Sequence, residues 1–278
     1  MDFNLFKNIK TRYLFIAMTA VTIISSIALV FIEAALRLGF SNDYAEVYSL
    51  IVTLAWFVMA LVFVRKKNIS MKSFLGKFPK KSFVLEVPLT WIITYIGALG
   101  AILILYFMVF KLTPNLLSSV QSNVEEQPTI LSNNIFVVIS FLGTVVAAPI
   151  VEEFIFRGIL FRRLYSKFGI IIGILLSSLI FFLLHFTINF IIFFLGMALA
   201  ILTYKYKSLV PAICLHALNN CITFFIERAK SSSNATTSSD SLVSTATLIV
   251  GIIFFIMYLV FLILNLRKCY KIKVLSEE

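Results

Sequence analysis

Six side chains carry the chemistry of this sequence: Glu152, Glu153, Arg157, His185, His216 and Asn220. All stand in apolar stretches where other charged groups are almost absent. The chain has only 2 histidines, and both belong to this set. Ionisable groups are costly in lipid, so those that persist there mark a functional site by default. A carboxylate beside an imidazole can hold a water and take its proton. A histidine and an asparagine side by side can donate to a developing oxyanion, typically a large contribution in acyl transfer. Together these groups suit hydrolysis of a peptide bond by water, without a covalent intermediate. No serine, cysteine or lysine is placed to compete as nucleophile; Ser177 and Ser178 fall about two helical turns short of His185.

The spacing divides the set into three short patterns. In Pro149-Ile150-Val151-Glu152-Glu153-Phe154-Ile155-Phe156-Arg157, Glu153 and Arg157 are four apart and share a helix face. Their pairing lowers the cost of both charges. Glu152 points about 100° away and is left to face a cavity. Pro149, just upstream, is expected to kink the helix and open room at that level. The second pattern is Phe181 to His185, and the third is His216 to Asn220, again four apart. Asn219 points elsewhere and reads as a packing residue.

Helices in lipid must position these groups. Of 278 residues, 60% are hydrophobic, with 29 Phe and 10 Gly. That apolar fraction exceeds a soluble domain's, and the long apolar runs exclude the alternating pattern of a β-barrel. The expected fold is an all-α polytopic membrane protein with eight spans. They fall at about 13–32, 47–64, 88–110, 135–161, 169–187, 190–204, 208–226 and 242–266. The sixth is short, and a re-entrant helix is its alternative. Counting up from the cytoplasmic ends puts Glu152 at roughly 20 Å, His185 at roughly 24 Å, and His216 and Asn220 at roughly 12 and 18 Å. Tilt absorbs this spread, so the fourth, fifth and seventh spans can build one cavity.

Charge sets the orientation. Of 24 Lys and Arg, 19 fall on the side of both termini; Arg37, Lys111, Arg228 and Lys230 fall opposite, and Arg157 lies within a span. This asymmetry places both termini in the cytoplasm. The net charge of +11 sits in short loops, which argues against a nucleic-acid partner. Cys214, Cys221 and Cys269 make no disulfide framework. The whole chain, 1–278, reads as a single integral membrane domain with its site-bearing core at 135–226. A Ser/Thr-rich outer loop, expected to be mobile, lies at 227–241.

At these residues the chain resembles the CAAX prenyl protease and bacteriocin-processing family, also called Abi or CPBP. The family's patterns are Glu-Glu-x-x-x-Arg, Phe-x-x-x-His and His-x-x-x-Asn. All three are complete and in order here, as Glu152-Glu153…Arg157, Phe181…His185 and His216…Asn220. The resemblance implies that Glu152 and His185 activate water and that His216 and Asn220 form the oxyanion hole. Glu153, Arg157 and Phe181 would hold the site in shape. The family has been described both as glutamic proteases and as metalloproteases. No cofactor is expected here; a zinc ion on Glu152, His185 and His216 is the alternative.

The substrate implied is a hydrophobic or membrane-associated peptide or protein in a lipid bilayer, and the expected location of the chain is a bacterial cytoplasmic membrane. Bacteriocin immunity and peptide pheromone maturation are the roles known for bacterial relatives. The runner-up is a non-catalytic scaffold of the same fold that binds a membrane kinase or a bacteriocin receptor. A small transporter is a third reading. It predicts polar groups spread through the bilayer depth, whereas these cluster at one level.

Overall fold

The computed structural model describes residues 1–36, 42–112, 134–230 and 245–277. Among them the chain is helical with no strand, and a single antiparallel bridge joins Gly76 to Ser208. The helices are α1 (Arg12–Leu36), α2 (Asn42–Lys66), the short α3 (Met71–Leu75) and α4 (Phe83–Leu112). A composite run follows: α5 (Asn134–Phe141), a π-helical segment π1 (Leu142–Ala147), α6 (Ala148–Ile155), a second π segment π2 (Phe156–Phe161) and α7 (Arg162–Leu183). Then come α8 (Ile191–Tyr206), α9 (Val210–Lys230) and α10 (Thr245–Glu277).

Among the described residues, six stretches are long and apolar enough to cross a membrane. One of them, Asn134–Leu183, has 50 residues, about 75 Å if straight and far more than a bilayer core needs. It folds back on itself at Gly169. That glycine has φ 81° and ψ −178°, a conformation open to residues without a Cβ. Beyond the reversal, a Cβ on Gly173 would lie 3.0 Å from the Tyr165 backbone. Residues 165 and 173 would be about 12 Å apart along a straight helix, so their contact shows two antiparallel arms. With α8, the architecture is the expected eight-helix bundle.

Helix α8 has 16 residues, and every residue from Phe194 to Tyr204 is buried. A helix buried all round forms the centre of its bundle. Helices α7, α4, α9 and α10 and the π2 segment pack around it. Helices α4 and α10 approach closely through small residues: a Cβ on Gly100 would sit 2.7 Å from the Gly251 carbonyl oxygen, the small-residue contact by which membrane helices associate. Helices α1 and α2 are tied by hydrogen bonds in mid-span. Tyr48 lies 2.9 Å from the Ser25 hydroxyl and 2.7 Å from that of Ser26, and the Trp56 indole donates to Thr22 at 3.0 Å.

Both chain ends lie at one end of the bundle. Phe3 packs on Phe161, Tyr165 and Tyr204, in the same buried cluster as Cys269. Arg162 and Arg163, read from sequence as loop cations, are structural here. Arg162 is fully buried against Phe74, donating to its carbonyl and lying over its ring. Arg163 donates to the carbonyls of Phe6 and Lys7 and pins the N-terminal segment.

Several boundaries depart from the sequence expectation: α2 starts at Asn42 rather than 47 and α10 runs to Glu277 rather than 266. Helix α4 starts at Phe83 rather than 88, with Pro88 inside it at the sixth position; being past the first turn, the proline leaves the Val84 carbonyl without its i+4 N–H donor. Helix α7 ends at Leu183, short of the expected 187, so His185 lies in the turn that follows. The chain must reverse there into α8, whose start is capped by the Asn189 side chain accepting from the Ile191 N–H. The outer loop expected at 227–241 lies outside the described residues from 231 onward; 227–230 continue α9.

Candidate active site

The site starts from Pro149. Proline lacks an N–H, and around it the helix widens to the π pattern, in which the Ala148 N–H reaches back to the Gly143 carbonyl. The Thr144 carbonyl therefore has neither helical partner: residue 148 donates elsewhere, and residue 149 has nothing to donate. Asn220 of α9 takes its place, its Nδ2 donating to Thr144 O at 2.9 Å. A polar side chain on one span thus satisfies a backbone group that proline freed on another, as buried backbone groups require. Single-turn π segments commonly occur at functional sites.

One turn on, α6 presents its two carboxylates to different neighbours. Glu153 is fully buried. Its Oε1 accepts from Arg157 Nη1 at 3.0 Å and from His216 Nδ1 at 2.9 Å. Arg157 also donates to the Gly196 carbonyl at 3.2 Å. Gly196 stands where α7 and α8 nearly touch; a Cβ there would lie 3.0 Å from that of Ser178. The guanidinium lies 4.3 Å over the Phe181 ring, a cation–π contact that further compensates a buried charge. Phe181 in turn packs edge-on to His185, with ring centroids 4.5 Å apart, and to His216 at 5.8 Å.

Glu152 faces the opposite way. Its Oε2 lies 3.9 Å from His185 Nε2 and 4.0 Å from His216 Nε2. Side-chain exposure is 23% for Glu152 and 32% for His185 but 4% for His216, so the cluster opens on the side of Glu152 and His185. Glu152 Oε2 is itself buried and has no hydrogen-bond partner.

The other ring nitrogens set the polarity. His185 Nδ1 lies 2.7 Å from the Phe181 carbonyl, which can only accept, so Nδ1 carries the proton. His216 Nδ1 faces the Glu153 carboxylate, already paired with Arg157, and by the same logic carries its proton. In neutral imidazoles both Nε2 atoms then hold lone pairs. Two nitrogen lone pairs and a carboxylate oxygen converge with no donor between them. A water, with two hydrogens to give, suits that space.

The donor set also has the chemistry of a zinc site. Ligands on tetrahedral zinc lie about 2.0–2.2 Å from the metal, hence about 3.4 Å from one another. The 3.9 and 4.0 Å separations are wider. Among the described residues no group of three His, Cys, Asp or Glu is drawn together closely enough to hold a metal. As placed, these residues do not fit zinc.

Asn220 is not joined to Glu152 or either histidine by any hydrogen bond among the described residues. It ends a chain of polar groups instead. Trp91 Nε1 and Tyr95 OH of α4 both donate to Asn219 Oδ1, at 3.4 and 2.9 Å. Asn219 Nδ2 donates to Asn220 Oδ1 at 3.1 Å, and Asn220 Nδ2 to Thr144 O. The direction is fixed at both ends: an indole N–H only donates and a carbonyl only accepts. Asn219, read from sequence as packing, is thus the middle of a relay that orients Asn220. Trp91 and Tyr95 had no signal beyond being polar-tipped aromatics four apart on an apolar span.

The comparisons fall on this region. Residues 134–222 match the family model described as type II CAAX prenyl endopeptidase Rce1-like. Over that segment the chain is Rce1-like. The match takes in both arms of the composite run, α8 and α9 through Asn220, and so Glu152, Glu153, Arg157, Phe181, His185, His216 and Asn220, but not Trp91 or Tyr95 of α4. The Rce1-like segment points to a membrane CAAX-type protease. No curated protein and no solved structure matched in the other two comparisons.

Proposed function

We propose that the chain is an intramembrane endopeptidase that cleaves a membrane-associated or hydrophobic peptide with a water held by Glu152 and His185. The observation that supports it best is the unpartnered, buried Glu152 Oε2 facing two imidazole Nε2 atoms. Water seated there gives one hydrogen to Glu152 and the other to His185 Nε2. As its oxygen bonds to the scissile carbonyl carbon, Glu152 takes a proton. That proton then passes to the leaving nitrogen as the C–N bond breaks, which leaves an amine and a carboxylic acid that keeps the water's second hydrogen. The carbonyl oxygen gains charge at the tetrahedral stage. Asn220 Nδ2 has a second hydrogen that Thr144 does not use, and His216 donates from Nε2 when its ring carries both protons. Glu153, Arg157 and Phe181 hold His216 and His185 in place.

The test is the purified full chain in lipid vesicles, given a farnesylated CAAX peptide and an unprenylated amphipathic peptide, with products read by mass spectrometry. Endoproteolysis of either supports the reading. Intact peptides beside a functional scaffold phenotype in cells support the runner-up, a membrane scaffold for a kinase or receptor. Bacteriocin immunity and pheromone maturation are the cellular roles we place under the same proposal, in a bacterial cytoplasmic membrane with both termini inside.

Two further outcomes follow. Metal chelation with 1,10-phenanthroline is expected to leave cleavage unchanged; loss restored by zinc would move Glu152, His185 and His216 to the metal alternative. Replacing Trp91 and Tyr95 together by Phe is expected to lower kcat about five- to tenfold, the worth of one oriented hydrogen bond. KM should stay near wild type while thermal stability falls modestly, because the buried Asn219 Oδ1 loses both donors; a change confined to KM would remove the relay from the chemistry.

A further inference from the structure

At the end of the bundle that holds both termini, two cavities adjoin. One, of about 440 Å³, is lined by Lys10, Lys66 and Lys67 with Ile9, Tyr13 and Phe63. The other, of about 320 Å³, is lined by Lys10, Arg12, Arg163 and Lys167. Lys10 is common to both. Six cations therefore converge, and no Asp or Glu lines either cavity. Among the described residues none of the six has a carboxylate within ion-pair distance. The chain pairs cations elsewhere: Arg157 with Glu153 and Lys205 with Glu86. Here it gathers them and supplies no anion.

The geometry points to a binding site for an anionic phospholipid, with headgroup phosphate among Lys10, Lys66 and Lys67 and glycerol against Phe63 and Tyr13. Three observations support this occupant. The cavities lie where α1 begins, where α2 ends and beside the Gly169 reversal, the level at which spans leave the hydrocarbon for the headgroups. Basic pockets between spans at that level suit anionic headgroups. The first cavity joins cations to an apolar wall, which a phosphodiester carrying acyl chains satisfies and a free phosphate does not. The site is also held in shape, because Arg163 fixes the carbonyls of Phe6 and Lys7 immediately before Asn8, Ile9 and Lys10. Each volume is within the range of about 300–1,000 Å³ usual for small-ligand sites. This inference stands apart from the catalytic reading.

Native mass spectrometry of the detergent-solubilised full chain tests it, titrated with phosphatidylglycerol or phosphatidylcholine. Expected is at least tenfold tighter binding of phosphatidylglycerol, unchanged by 10 mM inorganic phosphate. Lys10→Gln with Lys66→Gln and Lys67→Gln should erase the preference, while Lys80→Gln with Lys81→Gln, outside both cavities, should preserve it. Equal binding of the two lipids by the wild type overturns the proposal, and that comparison needs no variant to fold. An equal loss from both sets of substitutions would show generic surface charge and overturn it too. Displacement of the lipid by inorganic phosphate would reassign the cavities to the free anion.

Discussion

Glu152→Gln is expected to fold and insert as the wild type does and to lose cleavage by about 100- to 10,000-fold, the range for removing a general base. The substitution keeps the shape and removes the charge. Among the described residues no Lys or Arg forms an ion pair with Glu152; its Oε2 lies 3.9 and 4.0 Å from the two imidazole nitrogens. A glutamine amide in that place can put its NH2 toward those lone pairs, so the fold gains a partner while the water loses its base. Purified variant and wild type, compared for kcat and for melting temperature, separate the two effects. Normal kcat in the variant would remove Glu152 from the chemistry, whatever the family match.

Arg157→Ala is expected to act the other way, through stability. Glu153 and Arg157 are both nearly inaccessible, and removing one partner of such a pair costs about 3–5 kcal/mol because the other is left as an unpaired buried charge. The loss reaches further than the pair. Arg157 also donates to the Gly196 carbonyl and lies over Phe181, so α8 and the ring between the two histidines lose a contact. The variant should be depleted in membranes and melt well below the wild type. Glu153→Gln combined with Arg157→Met removes both charges and is expected to recover much of the abundance, since replacing a buried pair by neutral groups is often near neutral. Cleavage should stay low in that double variant, because His216 Nδ1 loses its carboxylate. Equal, normal abundance of wild type and Arg157→Ala would contradict the structural role of the pair.

The helix count was legible because apolar runs and basic loops are written over about 20 residues at a time, and small local errors do not change them. The Glu153–Arg157 pair was legible for a similar reason: four residues on a helix leave little choice of neighbour. Its third member was not. His216 is 63 residues from Glu153, and nothing local says which of two adjacent glutamates it meets. Pro149 pointed to a disturbance of the helix, but not to its form. A π segment, an orphaned Thr144 carbonyl and an asparagine from another span follow only once α6 and α9 are side by side. The same holds for Trp91 and Tyr95, whose polar tips find Asn219 across more than 120 residues of chain. The end of α7 was hidden because Phe181 to His185 contains no glycine or proline to stop a helix. The turn is set instead by the need to enter α8 at Asn189.

The measurement that bears most directly on the central claim follows the small secreted and membrane peptides of the native host by mass spectrometry, in cells carrying wild type or Glu152→Gln at equal abundance. Proteolysis predicts at least one peptide whose shortened form is present with wild type and absent with Glu152→Gln, its full-length precursor accumulating in its place. Identical peptide profiles, with Glu152→Gln fully rescuing a deletion phenotype, would contradict the enzyme and leave the scaffold.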